Sequence, residues 1–378
     1  MITSLNLIDF KCFEALEKPI NFGRINLLTG SNGRGKSSVL QAILLLAQSF
    51  RSGKNIDFLK LNGRNVQLGT FLDILRRNAD KERFCINITS DDTDEFEADF
   101  SFECNSKNPR IANLVSLSVK YADGTIKEMV NSVGGDGDKS QDSALVASAT
   151  SAIKVINQLR NVFFISADRQ GPKNYVSRTD DNTENVGIHG EYVINTLKNK
   201  EKEILEKVVK TISEIMGGAS ISVKDIDTEY IKILLDSVDQ NEGFKPVNVG
   251  FGYSYILPIV VLPLIVDEGS KLFIENPEAH LHPGAQSRMM DYLISIAKEK
   301  NLQLFIETHS DHLVNALRIA TKKNLHGVNH HDSTIIHVTR GTEGMASFAQ
   351  IKMDRDGNLS DYPLDFMDEW TKQMLDLV

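Results

Sequence analysis

Arg24-Ile-Asn-Leu-Leu-Thr29-Gly30-Ser31-Asn32-Gly33-Arg34-Gly35-Lys36-Ser37-Ser38-Val39 decides how this chain is read. Arg24 to Thr29 is a short apolar run suited to a buried strand, and Val39 to Gln48 suits a buried helix. Between them, Gly30 to Ser37 fits the phosphate-loop pattern G-x-x-x-x-G-K-[ST] at every fixed position, with a strand before it and a helix after it. Gly30, Gly33 and Gly35 allow backbone N–H groups to curl around phosphate oxygens. Lys36 reaches the β- and γ-phosphates, Ser37 can ligate Mg²⁺, and the helix N-terminus supplies a field that favours an anion. Asn32 and Ser38 complete the candidate cofactor contacts on this loop. ATP with Mg²⁺ is the ligand such a loop is built for.

Two further apolar runs end in polar groups. Lys271-Leu-Phe-Ile-Glu275 is followed by Asn276-Pro277-Glu278-Ala-His280-Leu-His282-Pro283. An apolar strand ending in an acid is the Walker B arrangement, which sets a carboxylate against the metal, so Glu275 is a candidate metal ligand and catalytic acid. Leu302-Gln-Leu-Phe-Ile-Glu-Thr308-His309-Ser310-Asp311 is the second run. His309 would stand at the C-terminal edge of a parallel sheet, where open α/β folds bind ligands, and could touch the γ-phosphate or order the attacking water.

The bulk properties fit an ordinary globular protein. At 378 residues, with 41% apolar and 25% charged residues, the chain suffices for one large or two coupled domains. A net charge of −9 gives no general attraction for nucleic acid. Lys198 to Lys210 holds five lysines, but Glu201, Glu203 and Glu206 interleave them, so a solvated helix face with i,i+4 pairs is expected. Three cysteines without CxxC spacing (Cys12, Cys85, Cys104) argue for a reducing compartment, and no signal peptide is expected, so the cytoplasm is the expected location. Tyr255 to Val266 is apolar for 12 residues and holds Pro258 and Pro263. A bilayer span needs about 20, and no membrane contact is expected.

Along the chain, Ile2, Leu5 and Leu7 lie in a β-rich entry segment, and residues 84–130 form short β-like runs with a hairpin turn at Ala122–Thr125. Residues 131–143 are rich in Gly, Asp and Ser and read as a loop. A helix over about 144–159, a strand at Val162–Ser166 and a largely helical stretch over about 189–216 follow. From Lys271 the rhythm is strand, helix, strand, helix, strand, as in a parallel sheet.

Phe10-Lys-Cys-Phe13 before the phosphate loop, Glu275-Asn-Pro-Glu-Ala-His-Leu-His-Pro283 and Thr308-His-Ser-Asp311 together resemble the OLD-like branch of ABC ATPases, AAA-annotated bacterial proteins related to Rad50, SMC and RecF heads. The resemblance implies an α/β ABC-type P-loop NTPase head, with a mixed or parallel sheet and an antiparallel β insertion. It divides the chain into 1–83 (head with P-loop), 84–143 (β insertion and loop), 144–247 (helical/β region), 248–345 (signature, Walker B and His switch) and 346–378, a tail like that of one subgroup. It also implies a signature segment, for which Asn248-Val-Gly250-Phe-Gly252-Tyr-Ser254 is the candidate. Gly250, Gly252 and Ser254 would face the γ-phosphate held by a second copy, in a homodimer or higher homo-oligomer. The usual glutamine contact is sought at Ser166-Ala-Asp168-Arg169-Gln170, with Arg169 as its charge and Gln67 as a second choice.

Such ATPases commonly place a catalytic Glu after the Walker B acid, where this chain has Asn276. An amide cannot take the proton of the attacking water, which leaves Glu278 as the candidate base or makes hydrolysis slow. Closure of the dimer would then be the output, read by a separately encoded partner; the resemblance to OLD-like ATPases implies that this partner is a nuclease or toxin in antiphage defence. The rival reading is a DNA-repair-like clamp in which the closed dimer itself holds nucleic acid. OLD nucleases continue into a Toprim module of roughly 100 residues. Here only residues 310–378 follow His309, so Asp354-Arg-Asp356 reads as a turn. His330-His331-Asp332 reads as a solvated loop without enough ligands for a metal.

Overall fold

The computed structural model describes residues 1–50, 57–91, 95–130, 155–171, 173–179, 185–218, 220–236, 243–340, 346–363 and 365–377. The expected loop at 131–143 and the start of the helix expected at 144 lie outside them. Residues 155–160 are helical, and the neighbouring strand runs Val162–Ile165.

A six-stranded sheet carries the motifs. Its order is β10 (Val162–Ile165), β14 (Lys271–Glu275), β15 (Gln303–Glu307), β4 (Ile25–Thr29), β16 (Ser333–Arg340) and β17 (Ala346–Ile351). The first five run parallel, and β17 returns antiparallel to β16, so the first strand of the tail belongs to the main sheet. Both faces of this sheet are covered, which explains why its strands read as unbroken apolar runs. Phe273 and Phe305 stack at 4.4 Å in one core, while Leu272, Ile274, Leu304 and Ile306, alternate residues on the same strands, enter the other.

The first core lies between this sheet and an eight-stranded antiparallel one, ordered β2 (Phe13–Ala15), β1 (Ile2–Phe10), β6 (Arg83–Ser90), β7 (Phe96–Cys104), β8 (Ile111–Tyr121) and β5 (Phe58–Lys60), with β3 (Ile20–Asn21) on β1 and β9 (Ile126–Val130) on β8. Helix α1 (Lys36–Phe50) is buried in that core nearly all round, as its uniformly apolar sequence requires. The strands expected over 84–130 form with antiparallel pairing, and Gly124 (φ +82°) turns the hairpin. They are not a separate layer, however, since β6 pairs with β1 from Ile2 to Ile8. Alternating apolar residues give each strand a face but do not name its partner.

On the other face, the helices Val193–Asn199, Lys202–Met216, Phe251–Ile265, Pro283–Glu299 and Asp311–Lys323 pack over the second core. A three-stranded sheet, Tyr175–Ser177, Tyr230–Asp236 and Ser220–Asp225, flanks them and was not foreseen from sequence. Phe251–Ile265 is helical through both prolines. Gly190 (φ +76°) lets the backbone approach Pro258, and Lys300 Nζ donates to the carbonyls of Pro263, Leu264 and Val266, closing the helix end. Among the described residues no helix is long and apolar enough to cross a membrane.

The bland readings of three polar stretches fit what is seen. Lys202–Glu206, Lys207–Glu203 and Lys210–Glu214 pair along the exposed face of one helix. Asp354 accepts from the N–H groups of Asp356 and Asn358 in a turn. Asp332 is taken up by Lys298 (3.0 Å) and Arg24 (3.7 Å).

Candidate functional site

Strand β4 ends at Thr29 and the chain turns through Gly30 (φ +125°), Gly33 (φ +71°) and Gly35 (φ +109°) into α1. A Cβ on Gly30 would lie 2.2 Å from the Val338 carbonyl oxygen, and one on Gly35 would lie 2.6 Å from Cys12 Sγ. The loop is therefore pressed between β16 and the chain just after β1. Lys36 is 3% exposed and donates to the Gly30 (2.8 Å) and Ser31 (3.0 Å) carbonyls inside its own loop. Burial lowers its pKa, and Glu307 and Glu278 oppose that shift.

This loop forms one wall of an open cleft of about 600 Å³, lined by Lys11, Cys12, Asn32, Gly33, Gly35, Lys36 to Ser38 and Gln41 on one side and by Ala167, Glu275, Asn276, Glu307 and His309 on the other. Parallel register sets Glu275 beside Glu307 and Glu307 beside Leu28. Ser37 Oγ donates to Glu307 Oε1 at 3.1 Å, whereas Glu275 Oε2 accepts the Ala167 N–H at 3.1 Å. Burial raises the pKa of both acids; Ser37 and the Ala167 N–H partly counteract it at Glu307 and Glu275 respectively. Glu307 is 7% exposed, and its Oε2 is buried without a hydrogen-bond partner.

The Thr308-His309-Ser310 turn hangs on Glu278, which accepts from Thr308 Oγ1 and from the His309 N–H, both at 2.8 Å. Ser310 caps the following helix by accepting from the N–H groups of His312 and Leu313. His309 faces the cleft, with its pKa lowered first by partial burial and then by Lys36. Asn276 sits in a left-handed conformation (φ +44°), its N–H on the Glu307 carbonyl and its Oδ1 buried without a partner.

The loop and acids fit a nucleoside triphosphate with Mg²⁺. The glycine turns clear space for backbone N–H groups, Lys36 supplies the cation, and the hydroxyl and carboxylate oxygens are the hard donors that Mg²⁺ prefers. The partnerless, buried Glu307 Oε2 is an atom that a cation would satisfy. Among the described residues no group of three or more His, Cys, Asp and Glu could hold a metal alone.

Comparison with known proteins bears on the fold and on ATPase-domain similarity. Models described as "AAA ATPase domain" and "AAA domain, putative AbiEii toxin, Type IV TA system" match residues 136–314 and 25–113, and "Protein of unknown function (DUF3696)" matches 330–377. The DNA replication and repair protein RecF of Clostridioides difficile is 34% identical over 70 residues, 18% of this chain and 19% of that protein. RecF of Syntrophotalea carbinolica is 34% identical over 118 residues, covering 30% and 29%. The chain thus spans under a third of the length of either relative. Among solved structures, an SMC head bound to the C-winged helix domain of ScpA superposes with a TM-score of 0.51 at 13% identity, over 94% of this chain and 98% of that one. An SMC head with an extended coiled coil, bound to the C-terminal domain of ScpA derived from Pyrococcus furiosus, gives 0.50 at 12%, over 100% and 99%.

This chain has the fold of an ABC-type ATPase head. Within that head, Asn32, Gly33, Gly35, Lys36, Ser37, Ser38, Glu275 and His309 come together at one cleft, and Gly30 forms the turn behind it. Glu278 lies one layer back, holding His309, and is not among the lining residues. Arg169, expected as a nucleotide contact, is committed to its own backbone in this structure. It is 3% exposed, and its guanidinium donates to the carbonyls of Ser166 (3.0 Å), Glu275 (2.7 Å) and Asn276 (2.6 Å). With Tyr255 against it at 5.5 Å and burial lowering its pKa to about 10, it ties the loop after Ile165 to the loop that follows Glu275. Gln170 and Gln67 do not line the cleft either.

Gly250, Gly252 and Ser254 are at the start of the helix Phe251–Ile265, away from the cleft lining. Gly250 and Phe251 are exposed. Gly252 is buried, and a Cβ there would lie 2.8 Å from the His280 carbonyl oxygen. Sequence reasoning missed Glu307, Lys11, Cys12, Gln41 and Ala167. Glu307 was legible as a strand-ending acid like Glu275. The others needed the fold that brings residues 11–12 and 167 to the loop.

Proposed function

We propose that the head binds Mg²⁺-ATP in this cleft and that ATP draws two copies together, so that closure acts as a switch for a separately encoded effector. One observation carries the reading: the phosphate-binding wall is assembled within one chain, while Gly250 to Ser254 open a helix N-terminus and are not among the described residues that line that cleft. A helix N-terminus attracts phosphate, so a second copy can supply it across the nucleotide. When bound, Mg²⁺ would neutralise charge between the β- and γ-phosphates, held by Ser37 with Glu275. Lys36 would leave its loop carbonyls for phosphate oxygens, Arg169 would fix Glu275 and Asn276, and Glu278 would aim His309 at the γ-phosphate.

Hydrolysis is expected to be slow, because Asn276 stands where a carboxylate base would be and Glu278 already accepts two hydrogen bonds. The OLD-like motif set supports control of a partner nuclease or toxin in antiphage defence; the match to a domain described by a toxin system points the same way. The rival, an ATP-gated nucleic-acid clamp, is favoured by the similarity to RecF, a DNA replication and repair protein in both relatives.

The deciding experiment measures the mass of the purified protein by light scattering with and without ATP and Mg²⁺, alongside nucleotide binding. ATP-linked doubling of mass, abolished by Lys36→Ala, is the expected result. A protein that binds ATP but never associates sinks the switch. Salt-sensitive DNA binding that appears only with ATP moves the reading to the clamp.

A further inference from the structure

The order of the six-stranded sheet puts β15 between the Walker B strand β14 and the loop strand β4. An acid at the end of β15 therefore stands closer to the phosphate loop than one at the end of β14. Glu307 occupies that position, and it, not Glu275, receives the Ser37 hydroxyl (3.1 Å). More than nine-tenths buried, it lines the cleft, and its second oxygen has no donor among the described residues. Lys36 is committed to the carbonyls of Gly30 and Ser31. A carboxylate oxygen left so in a protein interior is costly unless a cation or donor arrives with a ligand.

We propose that Glu307 is a second magnesium-side acid, holding Ser37 in its metal-binding pose and meeting Mg²⁺ directly or through a metal-bound water. The proposal rests on the reading of the cleft as an Mg²⁺-ATP site. It has a consequence for binding that a structural carboxylate would not have. Glu275 and Glu307 side by side oppose the triphosphate when no metal is present and attract it through the metal when one is. Nucleotide affinity should therefore depend steeply on Mg²⁺, and removing one charge should shift the two conditions in opposite directions.

The test is a titration of a fluorescent, non-hydrolysable ATP analogue in EDTA and in Mg²⁺, with Mn²⁺ binding followed by electron paramagnetic resonance. Against wild type, Glu307→Gln should bind the analogue roughly tenfold tighter in EDTA and roughly tenfold weaker in Mg²⁺, with Mn²⁺ affinity falling by a similar factor. An unchanged gain on adding Mg²⁺, or equal weakening in both conditions, overturns the proposal. If Glu307→Gln melts early, Glu307→Asp decides: it keeps the charge and should restore the Mg²⁺ gain, and Gln-like behaviour of Asp overturns the proposal. A wild-type protein that binds the analogue in neither condition overturns the nucleotide reading itself, an outcome distinct from the others.

Discussion

The phosphate-loop edge and the helix start at Gly250 to Ser254 are built on opposite terms. At the first, Lys36 is 3% exposed, Gly30 and Gly35 are wedged against neighbouring strands, and Arg169 locks two loops by three carbonyls. At the second, Gly250 is exposed with nothing within 4 Å of a built Cβ, and Phe251 is 56% exposed. The difference teaches where completeness lies. One edge is over-determined by its own chain and should be rigid and intolerant of change. The outermost residues of the other, Gly250 and Phe251, make little contact with their own fold, although Gly252 behind them is packed against the His280 carbonyl; such an edge suits the second copy proposed above.

The sharpest break of the comparison is Gly30→Ala. A Cβ 2.2 Å from the Val338 carbonyl at φ +125° should cost about 3–4 kcal/mol, read as a fall in Tm. An unchanged Tm would show the loop to be far looser than described. Lys36→Ala should lower ATP affinity by about two orders of magnitude, by calorimetry, because it removes charge-assisted donors to phosphate. Arg169→Met should cost roughly 2–3 kcal/mol by denaturant unfolding, since three carbonyl oxygens lose a buried donor. Undiminished stability would return Arg169 to the list of nucleotide contacts.

The smallest effect on the isolated chain is expected at the other edge. Gly250→Asp keeps allowed dihedrals (φ −55°, ψ 141°) and makes a better N-cap, so Tm should hold or rise by up to about 0.5 kcal/mol in stability. ATP binding by the single chain should also hold. Association with ATP should weaken at least roughly tenfold, because a carboxylate would face the partner's γ-phosphate. If association survives, the signature assignment fails and the comparison loses its functional meaning.

Much of the site was legible because its motifs are local. Gly30 to Ser37 is continuous, and strand-ending acids announce themselves by the apolar run before them. Glu278 was also visible, but its role was not: proximity to Thr308 and His309 depends on β14 and β15 being neighbours. The carbonyl contacts of Arg169 were hidden for the same reason. A charged residue after a strand fits a ligand loop, and only three carbonyls converging from residues 166, 275 and 276 reveal a clamp.

By itself the sequence determined the phosphate loop, the parallel rhythm after Lys271 and the antiparallel character of residues 84–130, because periodicity and loop chemistry act within a few residues. Strand order is set by contacts between distant segments, and only the tertiary structure decided it. That order joined β1 to β6 in one sheet, put Glu307 between Glu275 and Ser37, and carried Gly250 to Ser254 away from the cleft. The physical reason is that burial of both sheet faces and satisfaction of every strand's hydrogen bonds are properties of the whole packing, which no single segment encodes.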